Sequence, residues 1–467
     1  MSEHRAALES ALEHARRFLD GLRDRPVRWQ ASLEDLRAAL GGPLPEDGAD
    51  PGRVVDELAR AAEPGLVASA GPRFFGFVVG GSLPAALAAD WLASTWDQDA
   101  GLYVLGPAAA VVEEVAAAWL LDILGLPRGS SVGFVTGGQM ANFTGLIAAR
   151  HAVLERAGWN VEEAGLAGAP PVRVLVGAHA HVTILTAFRM LGLGSRDVTR
   201  VEADDQGRMR PDALRRAVAS VDGPAIVCAQ AGDVNTGAFD PFEEIVDVLH
   251  GRNAWLHVDG AFGLWAAASP ERRHLLKGVE GADSWATDAH KWLNVPYDSG
   301  LAIVKDPAAH RAPFAAAAAY LVQTRGAERD PQDFVPEFSR RARGFAVYAA
   351  LRSLGRRGMA DLVERLCLRA RRMAERLGRE PGVRILNDVV LNQVLARFEP
   401  PGGGDADAFT RAVIARVQRD GTCWLGGTRW RDQQAMRVSV SNWSTTEEDI
   451  DRSADAILAA ARAERKG

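Results

Sequence analysis

Lys291 lies in the stretch DSWATDAHKWLNVP (283–296), among apolar and aromatic residues and directly after a short strand. An exposed lysine normally keeps polar company. Desolvation lowers an amine's pKa, and a neutral amine attacks an aldehyde. The competing reading is a structural lysine that snorkels to the surface. Lys277, Lys305 and Lys466 are the only other lysines, so lysine chemistry has few candidates. Upstream, WLHVDGAFG (255–263) runs an apolar strand into Asp259 and then into small residues. At the C-terminal end of a parallel strand a carboxylate faces the crevice where such sheets bind ligands. Burying it is costly unless it is paired; the alternative is an aspartate that caps a helix.

A protonated pyridine nitrogen supplies such a pair, and pyridoxal 5'-phosphate (PLP) joins that nitrogen to an aldehyde. The ring then acts as an electron sink for a carbanion at a substrate Cα. Two further stretches suit the same cofactor. In FVTGGQMAN (134–142) a strand meets a helix through two glycines, where free N–H groups and the helix dipole favour a phosphate. This is neither a Walker loop nor a dinucleotide fingerprint. In GAHAHVT (177–183) an imidazole at a strand end can lie flat on the ring. His179 and His181 would share a face if the strand continued, so periodicity leaves both open. Phosphate loop, histidine, aspartate and lysine follow in order at strand ends. Each signal is modest alone; four in order are specific.

The elements that must position them alternate. Apolar runs at 132–135, 172–176, 198–202, 225–229, 255–258 and 301–304 are separated by helical segments at 142–156, 183–191, 211–219 and 241–249. Near-continuous apolar strands between helices predict an α/β fold with a mostly parallel sheet covered on both faces. After about 335 the grammar changes: helices at 341–354 and 359–377, strands at 383–385, 391–397, 422–425 and 436–440, and a closing helix at 447–462 capped by Ser444-Thr445-Thr446. The expected organisation is an N-terminal helical segment (1–70), a large α/β domain (71–335) and a small C-terminal α+β domain (336–467).

With 467 residues, a net charge of −6 and a pI near 6.0, nucleic acid is not the expected partner. Cys228, Cys367 and Cys423 form neither a disulfide framework nor a zinc pattern, which fits a reducing cytoplasm; no metal is expected. The N-terminus lacks the apolar core of a secretory signal. No uncharged apolar run reaches membrane-spanning length, and the Ala-rich 314–319 segment is too short.

The stretches TGGQMANFTGLIAAR (136–150), AHVTILTAFRMLGLG (180–194), TGAFDPFEEI (236–245), WLHVDGAFG and ADSWATDAHKWLNVPYDSG (282–300) resemble the PLP-dependent group II amino acid decarboxylases, of the aspartate-aminotransferase fold, fold type I. The resemblance runs from about Pro72 to about Leu458. It implies a seven-stranded sheet in the large domain, PLP as cofactor, an amino acid as substrate and a homodimer that the N-terminal arm embraces. It also implies roles: Lys291 holds the cofactor as a Schiff base, Asp259 pairs with the pyridine nitrogen, and His181 stacks on the ring and can move protons. Gly138 and Gln139 fall at phosphate-contacting positions, and Ala261 packs near the ring. His290 contacts cofactor or substrate, and Arg437 matches a basic position of the small domain. Asp288 falls where relatives place a small polar phosphate contact; a carboxylate there would repel phosphate unless it caps backbone.

Two departures bear on chemistry. The loop after the 225–229 strand reads Gly232-Asp233-Val234-Asn235-Thr236 where many relatives read Gly-Thr-Thr. The loop from Tyr320 to Pro336 is short and carries no interior tyrosine, the residue that protonates Cα in the aromatic decarboxylases. The expected activity is decarboxylation of an L-amino acid, with an aromatic or related side chain favoured by Phe74, Phe75 and Phe77; Arg73 would suit an acidic one. Aldehyde synthesis, carbon–carbon lysis and transamination share the same cofactor motifs. A binding protein without catalysis is the reading of another class, and a nucleotide-binding α/β protein is a third.

Overall fold

The computed structural model describes residues 3–315 and 328–466. The chain forms two compact units, one of residues 80–371 with 386–395, the other of residues 1–79, 372–385 and 396–467. Of the loop expected from Tyr320 to Pro336, residues 320–327, Tyr320 among them, lie outside the described residues, as do residues 316–319 of the Ala-rich 314–319 segment.

The larger unit is built on seven strands: β1 (Ser131–Val135), β2 (Arg173–Gly177), β3 (Thr199–Val201), β4 (Ala225–Gln230), β5 (Ala254–Asp259), β6 (Ser284–Asp288) and β7 (Gly300–Val304). Their order is β1-β7-β6-β5-β4-β2-β3. The run from β3 to β6 is parallel, and β7 lies antiparallel to both β6 and β1. Every residue of β4, β6 and β7 is buried, as a sheet with both faces covered requires. The cover is helical. Leu146 and Val153 of the Gly138–Glu155 helix and Ile184 and Phe188 of the Val182–Met190 helix share one core with Val174, Val176 and Ile226. One local expectation shifts: the first helix begins at Gly138, four residues before Asn142. The short strand expected before Lys291 is β6, whose buried polar side chains Ser284, Thr287 and Asp288 each find a hydrogen-bond partner.

The smaller unit carries β8 (Val383–Ile385), β10 (Gly426–Trp430), β11 (Gln433–Ser439) and the end of β9 (Gln393–Phe398), in the sheet order β10-β11-β9-β8. The strand expected at 422–425 is displaced: Trp424 makes only an isolated bridge with Phe74, and the strand starts at Gly426. Gly426-Gly427 open the strand. β10 and β11 form a hairpin whose two turn residues, Arg431 and Asp432, both have left-handed φ (47° and 62°), the geometry that matches strand twist. The two helices expected at 341–354 and 359–377 appear as one stretch, Gly344–Gly378, broken at Gly355 (φ 61°). The Glu447–Glu464 helix is capped by Thr446 in a reciprocal box with Asp449. Among the described residues no helix is long and apolar enough to cross a membrane, and no cluster of metal-ligating side chains is present.

Candidate active site

Parallel pairing sets the site. Gln230 pairs with Asp259 and Asp259 with Ala286, so β4, β5 and β6 end together in the larger unit. Asp259 is 6% exposed. Its two carboxylate oxygens accept one neutral donor each, Asn142 Nδ2 at 3.3 Å and the Ala261 amide at 3.1 Å. Burial raises this carboxyl above its ordinary range, while His181 and Lys291 pull it back. A buried carboxylate with neutral hydrogen bonds, and positive groups acting on it only through space, suits a cation placed against it; the protonated pyridine nitrogen of PLP is such a cation.

Lys291 follows β6. Its ammonium donates to Asp288 Oδ2 at 2.8 Å, and the side chain is one-fifth exposed. The other oxygen of Asp288 accepts the Gly138 amide at 2.5 Å. Asp288 therefore caps the Gly138–Glu155 helix from outside and also holds Lys291. The glycines are needed for this approach. A Cβ on Gly138 would lie 2.6 Å from Asp288 Oδ2, and one on Gly137 3.1 Å from the His290 ring. The amides of Gln139 and Met140 belong to the same first turn, which has no preceding carbonyl in reach, so it remains an anion-binding end. The Gln139 side chain points away, toward Met190 Sδ at 4.0 Å.

His290 accepts the Ser299 amide on Nδ1 at 3.1 Å, which leaves the proton of the neutral ring on Nε2, 3.3 Å from Asp288 Oδ1. Burial lowers its pKa. Tyr297, itself 61% exposed, lies against His290 (ring centroids 4.3 Å). Asn294 ties the following turn to the chain at Gly81, whose amide it accepts at 2.6 Å. His181 caps the Val182–Met190 helix, with Nδ1 2.8 Å from the Thr183 hydroxyl. Its field reaches Asp259, whereas that of His179 reaches Asp233, which separates two histidines that periodicity could not. Ala261 is pinned by the Asp288 amide donating to its carbonyl at 2.8 Å.

The larger unit thus brings together Lys291, Asp259, His181, Gly138, Ala261, His290 and Asp288, with the Gln139 amide beside them. Two residues that sequence reasoning passed over join them. Asn142 and His257 had been read as a helix-start residue and as part of an apolar strand, and both are buried polar groups joined to Asp259. The available signal was period two: His257 must share a sheet face with Asp259. Arg73, in the smaller unit, donates instead to the carbonyls of Thr422, Arg23 and Arg25 and is 2% exposed, so its guanidinium is used up structurally. Arg437, also there, is half-buried.

Comparison with known proteins bears on the family and the fold. The family model described as "Pyridoxal-dependent decarboxylase conserved domain" matches residues 34–399. The chain is 31% identical over 441 residues to an L-2,4-diaminobutyrate decarboxylase of Rhizobium meliloti, covering 92% of this chain and 86% of that protein. It is 26% identical over 454 residues to an aromatic-L-amino-acid decarboxylase of Bacillus atrophaeus, covering 95% and 92%. Among solved structures, Oryza sativa TDC with PLP and tryptamine superposes with a TM-score of 0.92 at 24% identity, over 99% and 98% of the two chains, which bears on the fold.

Proposed function

The chain belongs to the pyridoxal-dependent decarboxylase family and is a PLP-dependent decarboxylase of an L-amino acid; from that premise we propose that its substrate carries an aromatic or related side chain and that the residues around Asp259 and Lys291 are its catalytic site. The observation that carries the site assignment is the buried carboxylate of Asp259 at a strand end, bonded only to neutral donors, with Lys291 and His181 acting on it through space. Bound PLP supplies the electron sink that accepts the electron pair released when the bond between Cα and the carboxylate breaks.

The chain's own residues do the rest. Asp259 holds a proton on the pyridine nitrogen. Lys291 would hold the cofactor through its amine, and Asp288 would steady that amine whenever it is not bonded to the cofactor. Gly138 and the Gln139 amide present the helix end to the phosphate, while Asp288 caps that end and need not touch phosphate at all. Ala261 leaves room beside the ring. His181 covers the ring face, and with Nδ1 turned to Thr183 it carries its proton on Nε2. His290 carries a second proton on Nε2 beside Asp288 and Lys291.

The aromatic preference rests on the Bacillus relative and on Arg73, whose consumption by backbone carbonyls removes one anchor for an acidic side chain. A second reading, a diamino acid, is favoured by Asp233. This residue is 1% exposed, its Oδ1 accepts the Asn235 and Thr236 amides, and its Oδ2 has no hydrogen-bond partner among the described residues. Asp233 follows β4, the strand that ends beside Asp259, and the Rhizobium relative is named for a diamino acid substrate.

The test is a screen of L-amino acids with the PLP-loaded enzyme, with mass detection of amine and aldehyde. An amine from tryptophan, tyrosine or phenylalanine supports the first reading. Amine from 2,4-diaminobutyrate alone replaces it with the second, and aldehyde as the main product overturns simple decarboxylation. We also read the enzyme as a cytoplasmic homodimer. Supporting this are the buried free thiols of Cys228, Cys367 and Cys423 and the exposed apolar residues Trp91, Leu92, Trp96, Val104, Leu105 and Val111. Sedimentation at micromolar concentration tests the dimer.

A further inference from the structure

Behind Asp259 runs a continuous chain of buried hydrogen bonds. Trp255 Nε1 donates to Ser284 Oγ at 2.8 Å. Ser284 Oγ lies 2.8 Å from His257 Nδ1, and His257 Nε2 lies 2.9 Å from Asn142 Oδ1. Asn142 Nδ2 then donates to Asp259 Oδ2 at 3.3 Å. Trp255, Ser284, His257 and Asn142 are at most 3% exposed, so water does not complete any link. The fold makes the chain possible at each step. His257 and Asp259 are two apart on β5 and share a face. Ser284 is the cross-strand partner of His257 on β6. Gly145 of the covering helix makes room for the ring, since a Cβ there would lie 2.9 Å from His257 Cε1.

The proton positions follow from the ends. With Asp259 ionised, the Asn142 amide must turn its NH₂ toward it, so Asn142 Oδ1 faces His257 and requires a proton on Nε2. Nδ1 of the neutral ring is then an acceptor and takes the Ser284 hydroxyl proton, and Ser284 still accepts from Trp255. Every donor and acceptor is satisfied, and every donor points toward Asp259. A proton on Asp259 Oδ2, the oxygen that faces Asn142, would require the chain to reverse. Asn142 would donate to Nε2 and His257 Nδ1 would donate to Ser284, which already accepts from Trp255. The Ser284 hydroxyl proton would then have no acceptor within the chain. The complete arrangement therefore keeps Oδ2 an acceptor, while Oδ1 accepts the Ala261 amide, and two amide donors on the two oxygens favour the carboxylate. Burial, which pushes the His257 imidazole down to about 3, excludes a third arrangement with a charged ring.

We propose that Asn142 and His257 are positioning residues that hold Asp259 as a carboxylate, so that it keeps the pyridine nitrogen of bound PLP protonated, and that the Nε2–H tautomer of His257 reports this state. The proposal rests on the reading of Asp259 as the partner of that nitrogen.

The experiment uses the holoenzyme loaded with PLP labelled with ¹⁵N at the pyridine nitrogen, in a second sample labelled at histidine, followed by NMR from pH 6 to 8.5. In the unmutated protein His257 is expected as the neutral Nε2–H tautomer throughout and the pyridine nitrogen as protonated; an Nδ1–H tautomer overturns the proposal without any variant being made. Asn142→Leu and His257→Phe are expected to move the pyridine signal toward the unprotonated position and to weaken PLP binding about ten- to a hundredfold, the worth of a lost hydrogen bond to a charged group. His257→Gln keeps a donor toward Asn142 and is expected to restore much of the protonated signal, which a purely structural role would not do. Asp259→Ala separates the two levels. If it leaves the pyridine signal protonated, the reading of Asp259 fails. If it shifts the signal while folded Asn142→Leu and His257→Phe do not, the proposal alone fails.

Discussion

His181 is asked to do two things, to cover a ring face and to move a proton, and substitution separates them. His181→Phe keeps an aromatic plane and loses the proton, so PLP affinity should persist while kcat falls by about 10²–10⁴-fold, the usual worth of a positioned proton transfer. His181→Ala should lose both; equal kinetics for the two variants would remove the proton role. Residue chemistry was also where the sequence spoke most clearly. A lysine among aromatics and an aspartate ending an apolar strand are each unusual enough to read directly. Asn142 and His257 were not read, because a lone polar letter in a helix or strand carries no sign of whether it is buried. Their meaning appears only when β5, β6 and the covering helix are assembled. Asp288 lay between these cases: sequence gave the electrostatic objection to a phosphate role, and the structure supplies its occupation as backbone cap and lysine partner.

At the scale of elements, the helix that starts at Gly138 must approach β6 closely enough for Asp288 to cap it. Gly138→Ala places a Cβ 2.6 Å from Asp288 Oδ2 and forces the cap or Lys291 to move. The expected result is a loss of PLP affinity with the fold retained, at a cost of about 1–3 kcal/mol typical of overpacking, read by cofactor titration and circular dichroism. A second joint is made by Arg340. Arg340 pairs with Glu113 at 2.9 Å and donates to the carbonyls of Ala100 and Phe134, all out of water. Arg340→Met strands the Glu113 carboxylate, whose pKa burial already raises, and should cost about 3–5 kcal/mol in chemical denaturation. Strand and helix order was legible from apolar runs and the segments between them. Boundaries were less so: the first helix starts at Gly138, the helix pair is joined through Gly355, and the hairpin strand starts at Gly426, because a glycine's letter does not say whether it admits a close approach, a kink or a strand.

Across the whole molecule, stability should fall in acid for a reason that can be assigned. His257 and His310 are fully buried, and burial pushes both imidazoles down to about 3 from an ordinary 6.5. In the unfolded chain they take protons near 6.5, whereas folded they refuse them, so the unfolded state gains as pH falls from 6.5 toward 3 and the loss is recovered as pH rises again. His310 bonds Ser131 at 2.7 Å and lies apart from the Asp259 chain of hydrogen bonds. His310→Phe should therefore flatten the fall of Tm between pH 6.5 and 4 while leaving PLP binding at pH 7.5 unchanged; an unaltered slope would place the acid sensitivity elsewhere. The two-unit organisation was only partly legible, since the smaller unit gathers three separate stretches of chain and local patterns do not show which distant segments pack together.

The central claim is that one amine, that of Lys291, carries the cofactor, and four lysines make it directly measurable. Holoenzyme is reduced with borohydride to fix the Schiff base, digested and mapped by mass spectrometry. The predicted result is a phosphopyridoxyl group on the peptide containing Lys291 and on no other. Modification of Lys277, Lys305 or Lys466 instead, or no stable modification of a yellow holoenzyme, would contradict it.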